Sequence, residues 1–177
     1  STFGGYYQGL KIDDKTFINT NIIAGYQRYS NVRNVNDNIN GVQDAKSDIN
    51  NLFISPSVEL EHRIKLHESY EVRPNASVNY TAAFFGDTTE AGAGTANLTV
   101  KKRNARILNA RAGVSNILTL MTNYKVSLGF GLESRNISEG KVSAAIDGAD
   151  FEFATNNQAN VTGHYINLGF KVINFQD

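Results

Sequence analysis

The chain has 177 residues, with 17 lysines and arginines against 17 aspartates and glutamates, and neither cysteine nor tryptophan. The charge balance excludes a global attraction to nucleic acid or another polyanion, and the missing thiols exclude a disulfide framework and thiolate metal sites. No run of 18 or more apolar residues occurs, which excludes a transmembrane helix.

Seven segments alternate apolar and polar residues well enough to predict long strands, at about 2–12, 16–29, 52–66, 70–85, 102–114, 124–134 and 161–175. The first opens as STFGGYYQGL, without a basic start and apolar core, so any signal peptide is expected upstream or removed. The second sets Ile18, Ile22, Ala24 and Tyr26 against Asn19, Asn21, Gly25 and Gln27. In the third, Leu52, Ile54, Val58, Leu60 and Ile64 oppose Ser55, Ser57, Glu59, Glu61 and Arg63. The fourth is the longest pattern: Tyr70, Val72, Ala76, Val78, Tyr80, Ala82 and Phe84 face away from Glu71, Arg73, Asn75, Ser77, Asn79 and Thr81. The fifth sets Leu108, Ala110, Ala112 and Val114 against Asn109, Arg111, Gly113 and Ser115. The sixth sets Tyr124, Val126, Leu128, Phe130 and Leu132 against Lys125, Ser127, Gly129, Gly131 and Glu133. A weaker alternation at 141–153 suggests a hairpin within a long connection.

Alternation does not say which face meets which solvent, but length does. Soluble strands average about 5–6 residues. Tyr70 and Tyr80 lie ten residues apart on one apolar face. At about 3.3 Å per residue and a tilt of roughly 40°, ten residues climb about 25 Å, the height of the apolar band of a membrane barrel. Tyr70 and Tyr124 begin their strands, while Tyr26, Tyr80 and Phe84 lie near the opposite ends, which predicts two aromatic girdles. The polar faces then predict a wet lumen lined by Glu59, Glu61, Arg63, Glu71, Arg73, Asn75, Asn79, Arg111, Lys125 and Glu133, most of them paired filler.

Connections alternate in length. Short ones fall at 13–15, 67–69 and 116–123, and long polar loops at 30–51, 86–97 and 135–160. In an up-and-down antiparallel barrel this puts every short turn on one rim, as in outer-membrane barrels with periplasmic turns and extracellular loops. Pro56 and Pro74 conflict with a fully bonded sheet, and predict a bulge or a place near a rim.

Catalytic and ligand chemistry is sparse. His62, His67 and His164 have no metal-ligand spacing, and Asp147, Asp150 and Glu152 fail the calcium-loop spacing. No nucleophile elbow or phosphate loop occurs, so no catalytic residue, cofactor or metal is expected. Sequons at Asn75, Asn79, Asn97, Asn136 and Asn160 are read as chance in an Asn-rich chain, two of them lying mid-strand.

The order FGGYYQGLKIDDKTFINTNIIAGYQRY, FISPSVELEHRIKL, YEVRPNASVNYTAAFFGDTTEAGAGTANLTV and NARILNARAGV resembles the carboxy-terminal translocator barrel of autotransporters over most of the chain. The resemblance implies a twelve-stranded outer-membrane barrel that anchors and helps export an upstream passenger, with outer-membrane lipid and the barrel-assembly machinery as partners and no nucleic acid. GHYINLGFKVINFQD places Phe175 out of phase with Ile166, Leu168 and Phe170, unlike the family's terminal aromatic strand. The chain is therefore expected to be a central portion, incomplete at both ends. Two alternatives remain open: a small eight-stranded membrane barrel with 141–153 as a span, and a soluble β-barrel that turns its apolar face inward onto a ligand.

Overall fold

The computed structural model describes residues 1–37, 41–120, 123–154 and 159–172. Its main sheet is an antiparallel meander of the seven predicted strands. They are β1 (Thr2–Lys11), β2 (Thr16–Asp37), β3 (Gly41–His62), β5 (Tyr70–Phe85), β8 (Arg103–Leu120), β9 (Tyr124–Glu139) and β12 (Ala159–Val172), adjacent in that order. A short β4 (Ile64–His67) continues β3 along β5. Residues 173–175 of the seventh predicted strand, Phe175 included, lie outside the described residues.

The first short turn shows how local chemistry closes a hairpin. The Asp13 carboxylate accepts bonds from the backbone N–H groups of Lys15 and Thr16, both at 2.7 Å, and from the Thr16 hydroxyl at 2.9 Å. This side-chain turn fixes the register from Leu10↔Ile18 to Thr2↔Tyr26.

Several strands outrun their predicted ends. Of residues 30–51, read from sequence as a loop, 30–37 and 41–51 are strand, with β2 and β3 paired from Ser30↔Asp48 to Asp37↔Gly41, and 38–40 lie outside the described residues. Cross-strand polar contacts carry this pairing: Arg28 to Asp48 at 2.6 Å, Ser30 to Asp48 at 2.7 Å and Asn34 to Asp44 at 2.7 Å. Likewise β8 and β9 absorb most of the predicted connection 116–123, pairing out to Leu120↔Tyr124. Asparagine-rich composition reads as loop, yet a polar ladder with matched partners needs no apolar face.

A second, small sheet stands at the long-connection end. It joins β6 (Thr88–Thr89), β7 (Leu98–Val100), β10 (Val142–Ile146) and β11 (Ala149–Phe153), with a 3₁₀ turn at Gly94–Ala96. The weak alternation at 141–153 is thus a hairpin, closed by the two residues Asp147 and Gly148, both with positive φ as a type I′ turn requires. It pairs with β7 and not with the main sheet, so it is not an eighth span.

Neither proline makes a bulge. The β3–β5 ladder lapses between Ile54↔Ala82 and Ser57↔Asn79, around Pro56, and resumes in unchanged register. It lapses again between Glu61↔Asn75 and Ile64↔Val72, where Pro74 faces the break separating β3 from β4. On their other sides both prolines keep ladder partners, Ile22 and Val114. Each missing N–H therefore points into the same seam, where the gap is accepted without shifting the strands.

Burial settles the question of facing. Along β5 the large residues of the apolar set from Ala76 onward are the exposed ones, with Val78 at 43%, Tyr80 at 37% and Phe84 at 41% accessible, while the small Ala82 between them is covered. The intervening Ser77, Asn79 and Thr81 are half-buried. Leu52, Leu60, Leu108, Leu128, Phe130 and Leu132 are exposed as well, and among the described residues no large side chain is fully buried. A water-soluble barrel of this length would hide such side chains, so the reading with an inward apolar face is overturned.

Candidate functional site

Because successive side chains alternate across a strand, the ladder registers place the odd-numbered residues of neighbouring strands in rows on the polar face. One row runs Glu59, Ser77, Arg111, Glu133, Gly163, and the next Glu61, Asn75, Gly113, Gly131, Tyr165. A cleft of about 290 Å³ on this face touches Glu61 of β3, Arg73 of β5, Ser115 of β8, Ser127 of β9 and Asn167 of β12. Five flat strands would spread over about 19 Å at about 4.8 Å each, and a single cleft reaching all of them fits a sheet that curls toward its polar face.

The charges there pair in two clusters. Glu61 accepts from Arg63 at 2.7 Å and from Arg73 at 3.5 Å, while Arg73 also meets Glu71 at 3.0 Å. Further along, Glu133 binds Arg111 at 2.8 Å and Arg135 at 3.0 Å, and the Arg111 guanidinium lies 5.8 Å from the Tyr165 ring centre. Asn75 bonds Ser115, and Asn79 reaches Ser55 at 3.2 Å and the Pro56 carbonyl at 3.4 Å. Glu59 and Lys125 share the face without an ion pair among the described residues. All ten residues singled out from sequence lie on the polar face, eight of them in these contacts.

Arg135 and Tyr165 were missed. Arg135 lies beyond the predicted end of its strand, and Tyr165 carries no signal of its own in the sequence. Its partners are glycines: a Cβ on Gly113 would strike the Tyr165 hydroxyl, and one on Gly131 would stand 2.8 Å from its ring. The glycines that alternate with Phe130 and Leu132 are the floor on which Tyr165 and Asn167 lie.

The aromatics predicted for the girdles occupy the exposed face at two levels. Tyr26, Leu52, Phe84 and Asn104 fall in one row, with Tyr80 four residues below Phe84 on its strand. At the short-turn end Tyr70 donates to Asn116 at 2.7 Å and Tyr124 stacks on Phe170 with centroids 5.9 Å apart.

Above the sheet, the long connections form a cap with its own small core of Ala45, Ala93, Val142 and Ala144, each at most 4% exposed. The β2–β3 hairpin joins it through the Lys46–Ala91 backbone pair, at 2.8 and 2.9 Å. Glu90, 6% exposed, accepts from Arg33 Nη2 at 2.6 Å and from the Leu98 N–H at 2.9 Å; Arg33 also donates to the Ala96 carbonyl. The Arg33 bond holds the Glu90 carboxyl below its ordinary value against the opposing effect of burial. A lowered folded value contributes stability that is complete above the unfolded value and is lost as pH falls through the folded one. Amide exchange in 88–100, taken relative to the intrinsic rate at each pH, is therefore expected to quicken as pH drops below about 4.5, the ordinary Glu90 value, while the same ratio in the middle of β8 holds. Equal acceleration in both would refute the local lock.

Among the described residues no group of three or more His, Cys, Asp or Glu is placed to hold a metal ion. Asp150 and Glu152 instead meet Lys101 at 3.6 Å and Lys141 at 2.9 Å. His62 bonds Thr16 and His67 bonds Ser69.

A long antiparallel meander with one exposed apolar face, one ion-paired polar face and loops massed at one end has the pattern of an outer-membrane β-barrel. The chain belongs to the autotransporter β-domain family, whose model, described as autotransporter beta-domain, matches residues 1–172. That family resides in the bacterial outer membrane and has a translocator role. The comparison with curated proteins finds no match.

Proposed function

We propose that this domain anchors an upstream passenger in the outer membrane and supports its export, holding an extended or helical passenger segment against the polar face. What carries the reading is the polar face itself: its charges are fixed by mutual pairing, yet Glu59 and Lys125 keep theirs free for a guest. The exposed aliphatic residues meet lipid, the girdle aromatics sit at its two interfaces, and the cap points out of the cell. The outer edges of β1 and β12, unpaired among the described residues, are completed by further strands in a twelve-stranded barrel, inserted by the barrel-assembly machinery. An open strand edge in lipid leaves backbone groups without partners, which a bilayer does not tolerate. Catalysis has no part in this role.

The test uses adjacent positions with opposite facing. In the full-length protein, Ser77→Cys is expected to crosslink to a cysteine-bearing passenger segment during export, and Val78→Cys to lipid-soluble maleimide only. Crosslinking of the passenger from Val78→Cys, and not from Ser77→Cys, would refute the assignment of the lumen.

A further inference from the structure

The exposed face of β8 carries an arginine where an aliphatic residue would continue the stripe. Beyond Val114, Ala112, Ala110 and Leu108 the next outward positions are Arg106 and Asn104, and Lys102 is exposed just before the strand begins. In the ladder Arg106 pairs with Ala82, whose neighbours on the same face of β5 are Tyr80 and Phe84. Arg106 thus sits within the aromatic level that marks the membrane interface, on the side turned to lipid.

It is not alone there. A concave surface of about 540 Å³ beside the β8–β9 seam is lined by Lys102, Arg103, Arg106 and Lys141, against the single carboxylate of Glu139. Arg103 meets Glu139 at 3.3 Å and Lys141 meets Glu152 at 2.9 Å. Lys102 and Arg106 are exposed and hold no ion pair among the described residues. Asn104 and Ser138 add neutral donors to the same surface. An uncompensated guanidinium at the level of the lipid headgroups is a forked donor suited to phosphate oxygens, and the lysine beside it adds a second charge.

We infer that Lys102 and Arg106 form a binding site for the phosphate of an anionic lipid in the adjoining leaflet, whose acyl chains lie along Leu108, Tyr80 and Phe84. Continuity selects the occupant: the basic surface runs directly into the apolar stripe, so a ligand with a phosphate and hydrocarbon satisfies both parts, whereas a free anion satisfies one. The inference rests on the outward facing of the even-numbered residues.

The full-length protein, reconstituted into nanodiscs of phosphatidylcholine with phosphatidylglycerol as the minority lipid and released for native mass spectrometry, is expected to retain phosphatidylglycerol preferentially. K102Q/R106Q should lower that preference by roughly thirtyfold, the factor expected for two cations lost at a membrane surface. K46Q, which removes a charge from the distant hairpin, should leave it intact, and millimolar inorganic phosphate should not displace the lipid. Equal retention of both lipids by the wild type would overturn the inference, as would an unchanged double variant, an equal loss in K46Q, or displacement by inorganic phosphate. Heat-modifiable migration reports folding of each variant; should the double variant fail to fold, the wild-type lipid comparison decides. Failure of the wild type to insert would instead refute the facing, while insertion without lipid preference refutes this site alone.

Discussion

Val78→Arg is expected to abolish assembly of the domain in the membrane, while Ser77→Arg, one residue away, assembles normally. Val78 lies in the exposed row with Val58 and Ala110, well inside the apolar stripe. A lipid-facing arginine near the midplane costs about 2–4 kcal/mol, a large share of the stability of any single domain. Ser77 points the other way, directly opposite Glu59 and beside Arg111 in the ladder, so a new guanidinium there meets an unpaired carboxylate. Asn79 is a poorer comparison than Ser77, because its amide bonds Ser55 and the Pro56 carbonyl. The readout is the heat-modifiable fraction in isolated outer membranes. Equal loss in both variants would contradict the opposed facing.

The second large effect is expected at Gly131. Its Cβ would fall against the Ala112 carbonyl oxygen, and within 2.7 Å of Gly113 Cα and 2.8 Å of Tyr165 Cε1. Two of these three obstacles are backbone, so side-chain rotation cannot relieve them. Gly131→Val should destabilise the folded barrel by about 1–3 kcal/mol, the usual range for forced overpacking. Gly163→Ala, with open space around its Cβ position, should be nearly neutral. Urea unfolding in detergent, followed by tyrosine fluorescence, checks the pair. Matching midpoints would mean that the Tyr165–glycine contact is not rigid.

The membrane strands were legible in the sequence because lipid imposes a strict demand: every second residue must be apolar for ten or more positions. Val78, Leu108 and Phe130 obey it, and the structure exposes all three. That Glu61, Arg73 and Arg111 share one face of the sheet was legible for the same reason, since strict alternation left them no other. The extensions were not. Arg28, Asn34, Asp44 and Asp48 lie past the apolar band, where pairing rests on cross-strand polar contacts that leave no periodic trace. The cap was illegible for a different reason, because Arg33 and Glu90 are 57 residues apart and nothing local joins them. Tyr165 shows a third limit: its role is set by the absence of side chains at Gly113 and Gly131, two strands and one strand away.

The prolines give the sheet a division of labour. Both omit their N–H toward the seam between β3 and β5, and at each gap interior side chains span the two strands. Ser55, Asn79 and Thr81 link around Pro56, with the Ser55–Thr81 hydroxyls 2.8 Å apart, and Glu61 links to Arg73 beside Pro74. Elsewhere the main chain zips neighbours together without regard to residue type. Here the joint is written in side chains, and so is open to change by single substitutions. Two blocks result, β1–β3 and β5–β12, each held by uninterrupted ladders, and the seam between them joins an interrupted ladder to these side-chain links.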